Sequence, residues 1–123
     1  MAVLETDESP TLISSHKVEG TSVYNAEGDQ LGTVDSLMVN KTTGKVAYAV
    51  MSFGGFLGIG EKYHPLPWEV LHYDPRKDGY VVHLSREQLH DAPVIARHEE
   101  HRLDDRGYED AIHRHYGVTP YWI

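Results

Sequence analysis

Between residues 17 and 84, short β-branched and aromatic runs alternate with clusters of Gly, Asn, Asp and Pro, and no segment carries the apolar period of a helix. Six runs can be marked off, at residues 21–24, 31–39, 46–53, 62–66, 69–73 and 80–84. Strands this short, joined by tight turns with no helix between them, leave few ways to cover their edges. They predict an all-β fold, a small closed or nearly closed antiparallel barrel of about six strands. The turns agree. Asn25-Ala26-Glu27-Gly28-Asp29 joins the first two runs as a hairpin, Thr42-Thr43-Gly44-Lys45 joins the next two, and Asp74-Pro75 with Asp78-Gly79 joins the last pair.

Two runs carry more detail. Leu31, Val34, Leu37 and Val39 do not keep a strict two-residue alternation, which predicts a β-bulge near residues 35–37 that bends the strand. Residues 46–53 are apolar almost throughout, the pattern of a central strand covered on both faces. Beyond Leu84 the pattern becomes helical. Ser85 and Gln88 have capping-box spacing, and Pro93 ends the short helix they start. A second helix is expected over 105–116, where Tyr108, Ile112 and Tyr116 form a narrow stripe and Gly117 is the stop. The tail Val118-Thr119-Pro120-Tyr121-Trp122-Ile123 is apolar enough to require burial on the barrel or on a neighbouring chain. Residues 1–16 are polar and acidic and read as a flexible arm, so the expected organisation is 1–16 arm, 17–93 barrel domain and 94–123 helical extension with apolar tail.

The loop between the third and fourth runs holds Gly54, Gly55, Gly58 and Gly60 around Phe56, Leu57 and Ile59. It lacks the G-K-[ST] ending and the strand-to-helix context of a phosphate-binding loop, so a turn or bulge between strands explains the glycines. Phe56, Leu57 and Ile59 are then either barrel-end core or an exposed interaction patch. After the loop, His64 reads as a hydrogen-bonded structural residue, and Trp68, preceded by Pro67, as a packing anchor at one barrel end.

Taken in order, Gly20-Thr21-Ser22-Val23-Tyr24-Asn25, Gly28 with Leu31-Gly32-Thr33-Val34, Thr43-Gly44-Lys45-Val46, the segment from Gly54 to Trp68, and Leu89 through Ala92-Pro93 resemble the PRC-barrel domain. That family includes the cytoplasmic part of the photosynthetic reaction-centre H subunit and the C-terminal half of a bacterial ribosome-maturation factor. This chain is similar to its stand-alone bacterial members. The resemblance implies a docking or assembly module with no catalytic residues to carry over.

Composition narrows the function classes. A formal net charge of -8 disfavours nucleic acid as a partner, because phosphate backbones are held chiefly by Lys and Arg. With no cysteine, disulfides, thiolate catalysis and the common structural zinc sites are excluded. The acidic N-terminus does not have the form of a secretory signal, and no run approaches the roughly 18 apolar residues of a membrane span, so a cytoplasmic location is expected. Nine histidines invite a metal reading. His98 and His101, three apart, are weak candidates, but the spacing falls short of H-E-x-x-H and most of the histidines read as solvated, so no metal or cofactor is expected. No Ser sits in a nucleophile-elbow context, and an enzyme is not expected.

The functional expectation is a non-enzymatic, bacterial protein-interaction or assembly module, most simply a homodimer, with Phe56, Leu57, Ile59, Tyr121, Trp122 and Ile123 as interaction candidates. The alternatives are a small-ligand or metal-binding protein using the His-rich C-terminal segment, and an accessory factor docking to ribosomal or photosynthetic machinery.

Overall fold

The computed structural model describes residues 9–53, 62–96 and 99–123. Ser14 caps a single turn, α1 (Ser15–Val18), which delivers Val18 to the core. Then follow β1 (Ser22–Tyr24), β2 (Gln30–Val39), β3 (Val46–Phe53), β4 (Lys62–Pro67), a 3-10 turn at Trp68–Val70, β5 (His72–Asp74), β6 (Gly79–Val81), α2 (Arg86–His90), a second 3-10 turn at Glu100–Asp104 and α3 (Arg106–Tyr116).

Local chemistry explains most of these bounds. In the β1–β2 turn, Asn25 Oδ1 accepts from the Asp29 amide at 2.8 Å, an Asx closure that leaves the Asn25 side chain buried. The β2–β3 register slips between Val34 and Ser36, so the expected bulge falls at Asp35, and a second slip follows between Met38 and Val39. Just before the bulge the two strands press together at Gly32, where an added Cβ would stand 2.0 Å from the Ser52 carbonyl oxygen. The Ser85–Gln88 capping box is complete, with the Gln88 amide donating to Ser85 Oγ at 3.0 Å and the Ser85 amide to Gln88 Oε1 at 2.8 Å. Asp105 caps α3, and Gly117 at φ 68 ends it while the Val118 amide returns to the His113 carbonyl at 3.1 Å.

The strands form one sheet in the order β4-β3-β2-β1-β6-β5. All ladders are antiparallel except β1–β6, which is parallel, a departure from the fully antiparallel expectation. Hairpin turns dictate antiparallel neighbours, but β1 and β6 are far apart in sequence and no turn constrains their direction. The run expected as a strand over 69–73 is also divided. Trp68 starts a turn in which the Leu71 amide donates to the Trp68 carbonyl, and only His72–Asp74 pairs with β6. Pro65 and Pro67 are tolerated because β4 lies at the end of the hydrogen-bonded order.

Side chains complete what the ladders leave open. Val23, Leu31, Val34, Ala49, Met51, Leu66, Tyr80 and Val82, with Leu89 of α2, form one core to which β1, β2, β3, β4 and β6 all contribute. Strand β3 is buried on both faces. Ala49 and Met51 face that core, whereas Tyr48 packs with Leu103 and Ile112, and Val50 with Tyr63 and Ile95, under the C-terminal helical segment. The continuous apolar run of β3 therefore reports a strand with a barrel on one side and α3 on the other. No helix among the described residues is long and apolar enough to cross a membrane.

Candidate functional site

Helical spacing puts Glu109, Ile112 and His113 on one side of α3, and all three are buried. Ile112 packs on Tyr48 of β3, which brings the two polar neighbours to the Tyr48 hydroxyl. Tyr48 donates to Glu109 Oε2 at 2.8 Å, Tyr121 donates to the same oxygen at 2.6 Å, and Arg106 Nε lies 3.5 Å from Glu109 Oε1. Two hydroxyl donors and a guanidinium make the surroundings of an ionised carboxylate. The remaining contact runs between the Tyr48 oxygen and His113 Nε2 at 3.0 Å. Because the single Tyr48 proton is committed to Glu109, the Tyr48 oxygen accepts and His113 Nε2 must carry the hydrogen. In the neutral ring Nδ1 is then a lone pair, and it has no hydrogen-bond partner among the described residues.

Burial governs the titration of this cluster. It lowers the His113 pKa although Glu109, Glu69 and Asp110 pull the other way. Burial, then the bond to Glu109, pushes Tyr48 far above the normal phenol range and Tyr121 to about 12. Both phenols therefore remain donors throughout the neutral range.

The cluster fastens the tail. Tyr121 is held by its bond to Glu109, and Trp122 lies under the Arg106 guanidinium at 4.0 Å and edge-on to His113 at 5.2 Å. Beside it opens a cleft of about 310 Å³ with Val46, Trp68, Glu69, His113, Tyr121 and Ile123 among its walls. Another cleft, of about 350 Å³, separates residues 9–13 from the Trp68, Tyr73 and Tyr80 rings.

Of the residues singled out from the sequence, Tyr121 and Trp122 are brought together on α3, while Ile123 is left 86% exposed. Phe56, Leu57, Ile59 and His98 lie outside the described residues. His101 is exposed on the second 3-10 turn, and no group of three or more metal-type ligands occurs among the described residues. His64 is wholly buried beside the Phe53 ring, and the backbone of Pro93 is the hydrogen-bonding group within its reach. Neither ring nitrogen has a partner in hydrogen-bond geometry among the described residues. Burial, reinforced by Lys62, lowers its pKa to about 4, and the Pro93 carbonyl offsets this only in part.

Sequence reasoning missed the Tyr48–Glu109–His113 cluster by reading most of the histidines as solvated and giving Glu109 no part in the helix stripe. The signal was present in the stripe itself, since Glu109 and His113 each directly follow a stripe residue, Tyr108 and Ile112.

A family profile described as PRC-barrel domain matches residues 10–89. Among solved structures, a 16S ribosomal RNA processing protein, RimM, from Pseudomonas aeruginosa is similar at 21% identity, covering 65% of this chain and 48% of that one, with a TM-score of 0.42. The chain thus spans about half the length of that protein. No curated protein matches the sequence.

Proposed function

Since the chain belongs to the PRC-barrel domain family, we propose that it is a non-enzymatic interaction module whose partner is a second copy of itself. The observation that carries this reading is a connected apolar surface at the tail. Ile123 is 86% exposed and Tyr121 42%, both at the cleft that Val46 and Pro120 also line. Apolar side chains gathered around one cleft in this way favour burial against another surface, and a two-fold dimer covers such a patch with its own copy. The acidic net charge supports a protein rather than a nucleic acid partner. In this reading residues 17–93 are the barrel unit and residues 94–123 are the element that carries the interface.

The test is light scattering coupled to size exclusion on the full chain and on the variant Ile123→Asp. A dimer that becomes a folded monomer on substitution supports the reading. A full chain that stays monomeric across micromolar concentrations overturns it. A point change is the cleaner perturbation, because deleting residues 118–123 would also take the Tyr121 donor away from Glu109.

A further inference from the structure

All but Val39 of the large apolar side chains left exposed among the described residues lie at two clefts. Tyr121 and Ile123 border the one at the tail, and Leu12, Ile13 and Tyr73 border the one of about 350 Å³ between residues 9–13 and the barrel. Among the described residues Trp68 alone borders both.

The barrel wall of this second cleft is an array of three rings. The Trp68 centroid lies 5.6 Å from that of Tyr80 and the Tyr73 centroid 5.5 Å, both edge to face, so the rings meet at angles and present both edges and faces to the cleft. Each ring is anchored. Tyr80 is buried in β6, Trp68 starts the 3-10 turn, and the Tyr73 hydroxyl donates to Asp78 Oδ1 at 2.8 Å. The array is thus formed before anything docks on it, which keeps the ordering cost of binding low. No charged residue is among the described residues that line the cleft, so an uncharged occupant suits it.

The opposite wall shows what such a surface accepts. Pro10, Thr11, Leu12 and Ile13 lie across from the rings, yet the cleft stays open between them and Leu12 is 75% exposed. The Ser9 amide donates to the Leu12 carbonyl at 2.6 Å and the Leu12 amide to Ser9 Oγ at 3.0 Å. Both bonds close inside the segment and survive when it lifts from the rings. Proline matches an aromatic wall for two reasons. Its extended backbone is set before binding, and it brings no N–H to be stranded against apolar rings.

We infer that this cleft docks an uncharged, proline-containing apolar segment of a partner protein, and that residues 9–13 cover it as a weak stand-in. The site goes beyond self-association through the tail, and its test reads other residues, so the two readings fail separately.

The experiment titrates the full ¹⁵N,¹³C-labelled chain with the synthetic peptide acetyl-Pro-Pro-Leu-Pro-Pro-Ile-amide. The Trp68, Leu71, Tyr73 and Tyr80 resonances should shift together and saturably, while those of Val46 and Ile123, which border the tail cleft, stay still. A control peptide with Ser in place of both aliphatic residues should bind at least about tenfold more weakly, because two apolar side chains no longer leave water for the cleft. Ile13→Ser thins the cover at a residue outside the core, and it should raise affinity for the first peptide about tenfold as the open form becomes more populated. No saturable shift at these rings in either protein, equal binding of the serine peptide, or an affinity that Ile13→Ser leaves unchanged or lowers would each overturn the proposal.

Discussion

Replacing His64 tests whether the barrel interior holds an uncharged imidazole at an energetic cost. By strand alternation His64 shares the inner face of β4 with Leu66, against the Phe53 ring and opposite Met51, and it has no solvent exposure. Its pKa falls from 6.5 to about 4, chiefly through burial. A histidine depressed in this way binds its proton more readily in the unfolded chain, so stability is complete above pH 6.5 and is lost as pH falls toward 4. At about 1.4 kcal/mol for each pH unit, the loss across that window is about 3 kcal/mol, a large part of what a domain of this size has in hand.

The substitution His64→Leu removes the titrating group and two poorly satisfied polar atoms while keeping a side chain of similar bulk. Urea denaturation of both proteins between pH 4 and pH 7.5 gives the difference in unfolding free energy. At pH 7.5 the variant should match the parent or exceed it by about 1 kcal/mol, since a buried polar atom without a partner is a net cost. The variant's advantage should then grow by about 3 kcal/mol as pH falls to 4. His113, also lowered by burial, destabilises the fold with the same sign, but it is present in both proteins and cancels in the difference. A difference that stays flat with pH would refute the reasoning, because it would mean that His64 gains a proton in the folded state as easily as in the unfolded one.

Tyr48→Phe removes the donor to Glu109 and the acceptor of His113 Nε2 together, and should cost about 2–3 kcal/mol in urea denaturation. A double-mutant cycle with Tyr121→Phe should give a coupling energy of about 1 kcal/mol, because both hydroxyls converge on Glu109 Oε2, whereas strict additivity would contradict a shared site. Gly32→Ala forces β2 away from the Ser52 carbonyl and should cost about 3 kcal/mol, and a loss below about 1 kcal/mol by the same assay would show that the strands can part there.

What could be read from the sequence follows the range of the interaction that fixes each feature. Helix α3 was legible at both ends because Asp105 and Gly117 act within one turn of themselves. The bulge at Asp35 was legible because a lost alternation is visible in one strand alone. The parallel β1–β6 pair was not, since Val23 and Tyr80 meet without any turn between them that fixes their direction. Glu69 and Val70, in the 3-10 turn at Trp68–Val70, were taken for the start of a strand because so short a segment fits either state until the packing of Trp68 on Tyr80 decides between them. The cluster on α3 was the least legible feature. Glu and His are mostly exposed residue types, and the hydroxyl that draws Glu109 inward comes from Tyr48, 61 positions earlier in the chain.

Strand β3 ties these features into one argument about function. Its inner face completes the barrel through Ala49 and Met51, and its outer face carries Tyr48, from which the tail is fastened by way of Glu109. The surface exposed at Tyr121 and Ile123 is therefore positioned by the barrel itself and not by a loosely tethered end. A patch mounted on a rigid strand loses little conformational freedom on association, which favours its use as an interface.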